Sequence, residues 1–192
     1  THTHAHPRPS SADANNPETI QLEGIEKLCA DLGVDPTDLI VLIISWQMQA
    51  KTMCVYTKEE FTRGLNVMGV DSIDKWKSSF ERLRGLLNDK KSFRDFYSYC
   101  FLFAKDPGFG VRTLPFEVAS QMWRLTLTGR FKLLDEWLDF LERRNVRAVT
   151  KDMWDMTYTF STTVRKADLS DYDEDGAWPV LLDDFVDELK GA

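Results

Sequence analysis

The run DPTDLIVLIISWQMQA, Asp35 to Ala50, decides the fold. Asp35 is of the type that caps a helix start, and Pro36 suits the first helical position. The residues that follow are apolar on nearly every side of a 3.6-residue turn. Such a helix belongs in the middle of a protein or in a bilayer, and its most apolar part, LIVLII (Leu39 to Ile44), is far too short to span lipid. The spacing therefore predicts a central buried helix with the rest of the chain wrapped around it.

Outward from that helix the pattern stays helical. On the N-terminal side, IQLEGIEKLCADLG puts Leu22, Ile25, Leu28 and Leu32 on one face and stops at Gly33. On the C-terminal side, Thr57 and Glu60 form a capping box ahead of Phe61, Leu65 and Met68. Ser72 caps DSIDKWKSSFERLRGLL, and SFRDFYSYCFLFAKD is dense in Phe and Tyr. Pro115 starts a helix that Gly129 ends, FKLLDEWLDFLERRN follows, Thr150 caps KDMWDMTYTFSTTVRK, and Pro179 opens PVLLDDFVDELK. Strand candidates are confined to Ile20–Leu22 and Cys54–Tyr56. The expectation is an all-α protein: a polar, disordered tail over residues 1–16 and a single helical domain over 17–192. Helix, loop with a short strand, helix is the plan of an EF-hand, and loop Gln21-Leu22 is expected to pair with Val55-Tyr56. Neither loop carries the carboxylate ladder that calcium needs.

A hydrophobic content of 43% suits a globular core, and a net charge of −7 argues against a nucleic-acid binder. The charge is uneven. From Asp168 to Lys190 nine carboxylates stand against one lysine, a balance of −8 that leaves the rest of the chain at about +1. Charge alone favours a solvated acidic end over a docking surface for a basic partner. Cys29, Cys54 and Cys100 lack metal or disulfide spacing and read as reduced thiols. No apolar targeting segment opens the sequence, so no membrane is expected and the localisation is cytoplasm and nucleus.

The acidic segment opens DYDEDG, Asp171 to Gly176, as a calcium loop does. Asp171, Asp173 and Asp175 fall at loop positions 1, 3 and 5, but position 12 is Leu182 and position 9 is Pro179. The bidentate glutamate that closes the cage is missing, so no metal site is expected. His2, His4 and His6 stand on the polar tail, where any chelation is incidental. No Cys lies near a His, and no GxSxG, P-loop or GxGxxG occurs, so neither a catalytic group nor a cofactor is expected.

At DYDEDGAWPVLLDDFVDELK (171–190) the sequence closely resembles the signature of the defective-in-cullin-neddylation (DCN1-like) family. GRFKLLDEW, FRDFYSYCFLFAKDPG, MGVDSIDKWK and DPTDLIVLIISWQMQA extend the resemblance upstream, to about Ile20. It implies a potentiating-neddylation domain with EF-hand-like pairs that hold no metal. It also implies an accessory ligase that binds a cullin and the neddylation conjugating enzyme and is itself no enzyme. The thioester cysteine belongs to the conjugating enzyme, and a RING subunit reaches the complex through the cullin.

Two sites follow from the resemblance. A hydrophobic pocket for the conjugating enzyme's acetylated N-terminus matches Leu22, Ile25, Val41, Leu42, Ile44, Met48, Met53, Cys54, Tyr56, Phe103, Met122 and Leu125. Acetylation suits an apolar cavity, because a free α-amine would bring an ammonium charge out of water. Relatives often carry Phe, Gln and Tyr at Met48, Met53 and Met122, and three thioethers make this pocket more adaptable. The second site, for the cullin C-terminal region, matches Asp152, Ala177 and Asp183. A degenerate EF-hand calcium-responsive protein is the second reading and a carboxylate-based hydrolase the third; the residue at position 12 and the lack of an acid–base pair in a pocket speak against them.

Overall fold

The computed structural model describes residues 18–105 and 112–191, so the expected tail at 1–16 lies outside them. It contains ten α-helices, one short 3-10 turn and two small sheets among those residues, a mainly helical fold. No described helix is long and apolar enough to cross a membrane. The chain divides into two compact units, Thr1–Phe109 and Gly110–Ala192.

The first unit runs β1 (Thr19–Ile20), α1 (Leu22–Leu32), α2 (Leu39–Met48), β2 (Tyr56–Thr57), α3 (Lys58–Met68), α4 (Ile73–Ser78), α5 (Phe80–Gly85) and α6 (Lys90–Ala104). The helix that decides the fold is α2, and it packs against α3, α5 and α6. Ile40, Ile43 and Met48 are fully buried along it. Its start differs from expectation. Asp38 is the N-cap, its Oδ1 accepting from Ile40 N at 2.7 Å, while Asp35 closes a separate turn by accepting from Thr37 N at 2.8 Å. Two aspartates three residues apart compete for one helix start, and the one nearer the apolar run prevails.

β1 and β2 pair antiparallel with Thr19 opposite Thr57 and Ile20 opposite Tyr56. The pair expected from sequence is there, shifted a residue or two, and Leu22 opens α1 instead of belonging to a strand. Thr57 has two roles, ending the strand and capping α3. Its hydroxyl accepts from Glu60 N at 3.2 Å and Glu60 Oε2 accepts from Thr57 N at 2.9 Å, the expected capping box. Glu60 is buried, and its other oxygen accepts from Lys51 N at 3.1 Å. The single helix expected over 72–87 is broken at Ser79, whose hydroxyl donates back to Trp76 O at 2.7 Å. Serine bonding to its own helix backbone in this way competes with the regular ladder.

The second unit repeats the plan: β3 (Thr113–Pro115), α7 (Phe116–Leu127), α8 (Leu134–Arg143), β4 (Ala148–Thr150) and α9 (Lys151–Thr163), followed by α10 (Val180–Lys190). Thr113 pairs with Thr150 and Leu114 with Val149, and Thr150 then caps α9 by accepting from Met153 N at 3.1 Å. This sheet was not expected, because three-residue strands, one holding a proline, leave no alternation to read. Pro115 ends β3 and stands as the N-cap of α7. Trp123 stacks on Trp154 with ring centroids 5.2 Å apart, and Phe185 of α10 lies against Trp137, Phe140 and Phe160.

Candidate functional site

The acidic segment is held by its aromatic residues. After α9 the chain reverses through Leu169, which is buried with φ of 58°. A bulky residue in the left-handed region is strained and persists only where its surroundings fix it. Asp171 helps fix it, accepting from Arg165 N at 2.9 Å and Lys166 N at 3.3 Å, and these bonds hold its carboxyl below the usual range. Asp171 is therefore a turn acceptor. Asp173 likewise accepts from Asp175 N at 3.2 Å. Leu182, at the position where a calcium loop places its glutamate, is buried. No group of three His, Cys, Asp or Glu among the described residues could hold a metal ion. Gly176 has a different reason to be glycine: a Cβ there would lie 2.7 Å from Trp178 Nε1 and 3.0 Å from Asp173 O.

Tyr172 is the centre of the segment. Its ring stacks on Trp178 (5.8 Å, 25°) and packs on Phe160 at 6.0 Å, and Phe160 meets the Trp178 edge at 5.6 Å. Its hydroxyl donates to Asp183 Oδ1 of α10. Burial, then the Asp183 carboxylate, pushes the phenol up, so it stays protonated and donating. Lys190 Nζ sits 5.6 Å from the ring centre and pairs with Glu174 at 2.5 Å. Ala177 is exposed at the tip of a tight turn closed by Trp178 N donating to Gly176 O at 2.8 Å.

Of the three positions expected at the acidic surface, two adjoin the same aromatic pair, Ala177 in the turn that Trp178 N closes and Asp183 accepting from the Tyr172 hydroxyl. Asp152 is exposed in the first turn of α9, outside that hydrogen-bonded cluster. The sequence signal for Tyr172 and Trp178 was present in the Tyr and Trp that flank DEDGA, but an acidic run draws the eye to its charges.

The residues expected to line the apolar pocket divide. Ile25, Leu42, Ile44, Met48, Tyr56 and Phe103 are buried in the first unit, and Val41 is half-buried. Leu22 (52% exposed), Met53 (37%) and Cys54 stand at the surface of that unit. Leu22 therefore does not share the buried face of α1 with Ile25, since the first residue of a helix lies at the rim of what the helix covers. Met122, buried, and Leu125, half-buried, belong to α7 of the second unit. Tyr56 is fixed by a 2.7 Å bond to Ser45 Oγ, and burial pushes its phenol up to about 12. Tyr99 stacks on Phe103 at 5.3 Å and donates to Ala50 O at 2.9 Å. A separate groove of about 310 Å³, walled by Glu117, Arg124, Leu138, Asp139 and Glu142, contains none of these residues.

The described residues thus form a mainly helical fold with two strand-paired loops and an acidic segment set on aromatic rings. The cullin-binding family profile matches residues 75–188. DCN1-like protein 5 of Homo sapiens and of Rattus norvegicus are each 42% identical over 173 residues, 90% of this chain and 72% of the relative. DCN1-like protein 4 of Danio rerio is 39% identical over 173 residues, 90% of this chain and 61% of that relative. The chain belongs to the DCN1-like, cullin-binding family.

Proposed function

We propose that this chain is a non-catalytic scaffold that binds a cullin and promotes transfer of a ubiquitin-like modifier to it. The observation that carries the reading is the family match over 75–188, which takes in Asp152, Ala177 and Asp183. Two carboxylates and a small exposed residue suit a basic partner that must approach closely. Holding both reactants of a transfer raises their effective concentration and narrows their orientations, so no reactive group is needed on the scaffold itself. Burial raises the thiols of Cys29 and Cys100 and keeps both out of nucleophilic chemistry. The thioester cysteine is the conjugating enzyme's, and the RING subunit joins through the cullin. All three thiols are free, which fits a cytoplasmic and nuclear protein.

The test is calorimetry with a recombinant cullin C-terminal region. Asp152→Ala, Ala177→Arg and Asp183→Ala should each weaken binding about tenfold or more, with unchanged circular dichroism. Parental affinity in all three would place the cullin surface elsewhere. The conjugating enzyme is the second partner in this reading, its acetylated N-terminus received by apolar residues that include Val41, Ile44 and Tyr56. Val41→Arg should weaken an acetylated N-terminal peptide strongly and leave cullin binding intact, and the unacetylated peptide should bind the parent protein far more weakly. Equal affinity for the two peptides would remove this part of the proposal.

A further inference from the structure

We infer that Tyr172 is the positioning residue of the acidic surface, one side chain that sets both the Asp183 carboxylate and the Ala177 turn for the partner. The inference rests on the cullin-binding reading above and adds to it a residue outside the Asp152, Ala177 and Asp183 set.

The geometry gives Tyr172 two separate holds. Through its hydroxyl it donates to Asp183 Oδ1, so one carboxylate oxygen is fixed and the other is left for a cation. An unpinned aspartate on a helix surface samples several rotamers, and ordering it on binding costs affinity. Through its ring it stacks on Trp178, the residue that follows Ala177. The Trp178 indole in turn donates to Asp173 O at 3.1 Å, and its amide closes the turn at Ala177. The ring is itself held by three neighbours: Trp178 stacked on it at 5.8 Å, Phe160 tilted against it at 6.0 Å and the Lys190 ammonium at 5.6 Å. Lys190 is kept there by Glu174, so the segment's one lysine is paired within the segment. A positive side chain from a partner therefore meets Asp183 already aimed, beside a loop whose tip is already turned.

The two holds separate experimentally. Tyr172→Phe keeps the stack and removes the bond to Asp183; Tyr172→Ala removes both. Cullin C-terminal region binding is measured by surface resonance for the parent, Tyr172→Phe, Tyr172→Ala, Asp183→Ala and the Tyr172→Phe/Asp183→Ala double variant, with melting temperatures alongside. Tyr172→Phe should bind about five- to tenfold more weakly, through faster dissociation with an unchanged on-rate and melting temperature. Tyr172→Ala should lose more than that. In the Asp183→Ala background Tyr172→Phe should have no further effect, because the group it positions is gone. If Asp183→Ala abolishes binding while Tyr172→Phe binds like the parent, the positioning role is wrong and the docking surface stands. A Tyr172→Phe loss as large in the Asp183→Ala background as in the parent also overturns it, since the ring would then act through the fold. Parental binding by Asp183→Ala would instead overturn the docking surface, and the positioning role with it.

Discussion

Ser45 has one hydroxyl proton, and at 2.9 Å from Val41 O it gives that proton to its own helix. Tyr56 is then the donor in the 2.7 Å bond between the two hydroxyls, and its burial makes the phenolate costly to form. Its value of about 12 lies above the unfolded value of about 10, so folding favours the neutral form. The stability this contributes is complete below pH 10 and is lost as pH rises from there through about 12. Denaturant titrations at pH 9 and pH 11.5 should show a fall for the parent, and Tyr56→Phe should flatten it by about 1–2 kcal/mol. Gly64 makes a second prediction. A Cβ there would run into the Met48 side chain and lie 3.2 Å from Met48 Cα, where α3 packs against α2. Gly64→Ala improves helix propensity by up to about 1 kcal/mol, yet overpacking of this kind costs about 1–3 kcal/mol, so net destabilisation should appear in urea unfolding. Sequence alone could not reveal this: Met48 reads as a pocket wall by resemblance, and only the approach of two backbones shows it filling the space that Gly64 leaves.

Elements were legible where a capping signal coincided with an apolar period. Thr57, Ser72 and Thr150 start the helices they were expected to start, and Gly33 ends α1 with φ of 68°. They were misread where two signals competed or none existed. Asp35 and Asp38 both fit a helix start; Asp38 lies nearer the apolar run, and Arg84, 46 residues away, reaches its Oδ1 at 3.0 Å, a contact that no local pattern announces. Asp38→Ala should therefore cost about 1–2 kcal/mol in chemical denaturation, and Asp35→Ala, which loses only a local turn, clearly less. Equal costs would return the cap to Asp35. The β3–β4 pair had no signal, because its stability comes from Leu114 and Val149 being wholly buried in the second unit and not from any strand-length pattern.

Across the whole molecule, the negative charge is concentrated while the carboxylates within it have separate tasks. Asp168 and Asp171 serve turns, Glu174 holds Lys190, and Asp184 and Glu188 pair with Arg144 (3.4 Å) and Arg143 (2.5 Å). With Asp171 and Glu174 engaged in this way and Leu182 in the twelfth position, millimolar calcium should leave the melting temperature unchanged. A rise of several degrees that magnesium does not reproduce would restore the calcium reading. The acidic run was legible as charge, and the resemblance points to three positions for a partner; the aromatic support beneath the run was not legible, because stacking between Tyr172, Trp178 and Phe160 depends on a chain reversal at a strained leucine. The doubled role of Thr57 has a consequence for how the first unit opens. Lys58 N donates to Glu18 O at 2.9 Å, Thr57 pairs with Thr19, and Glu60 ties Thr57 N to Lys51 N, so a strand, a loop and a helix start share one knot. Amide protons at Lys51 and Thr57 should therefore share a common protection from exchange with solvent, lost together when Glu60→Ala removes the carboxylate both donate to.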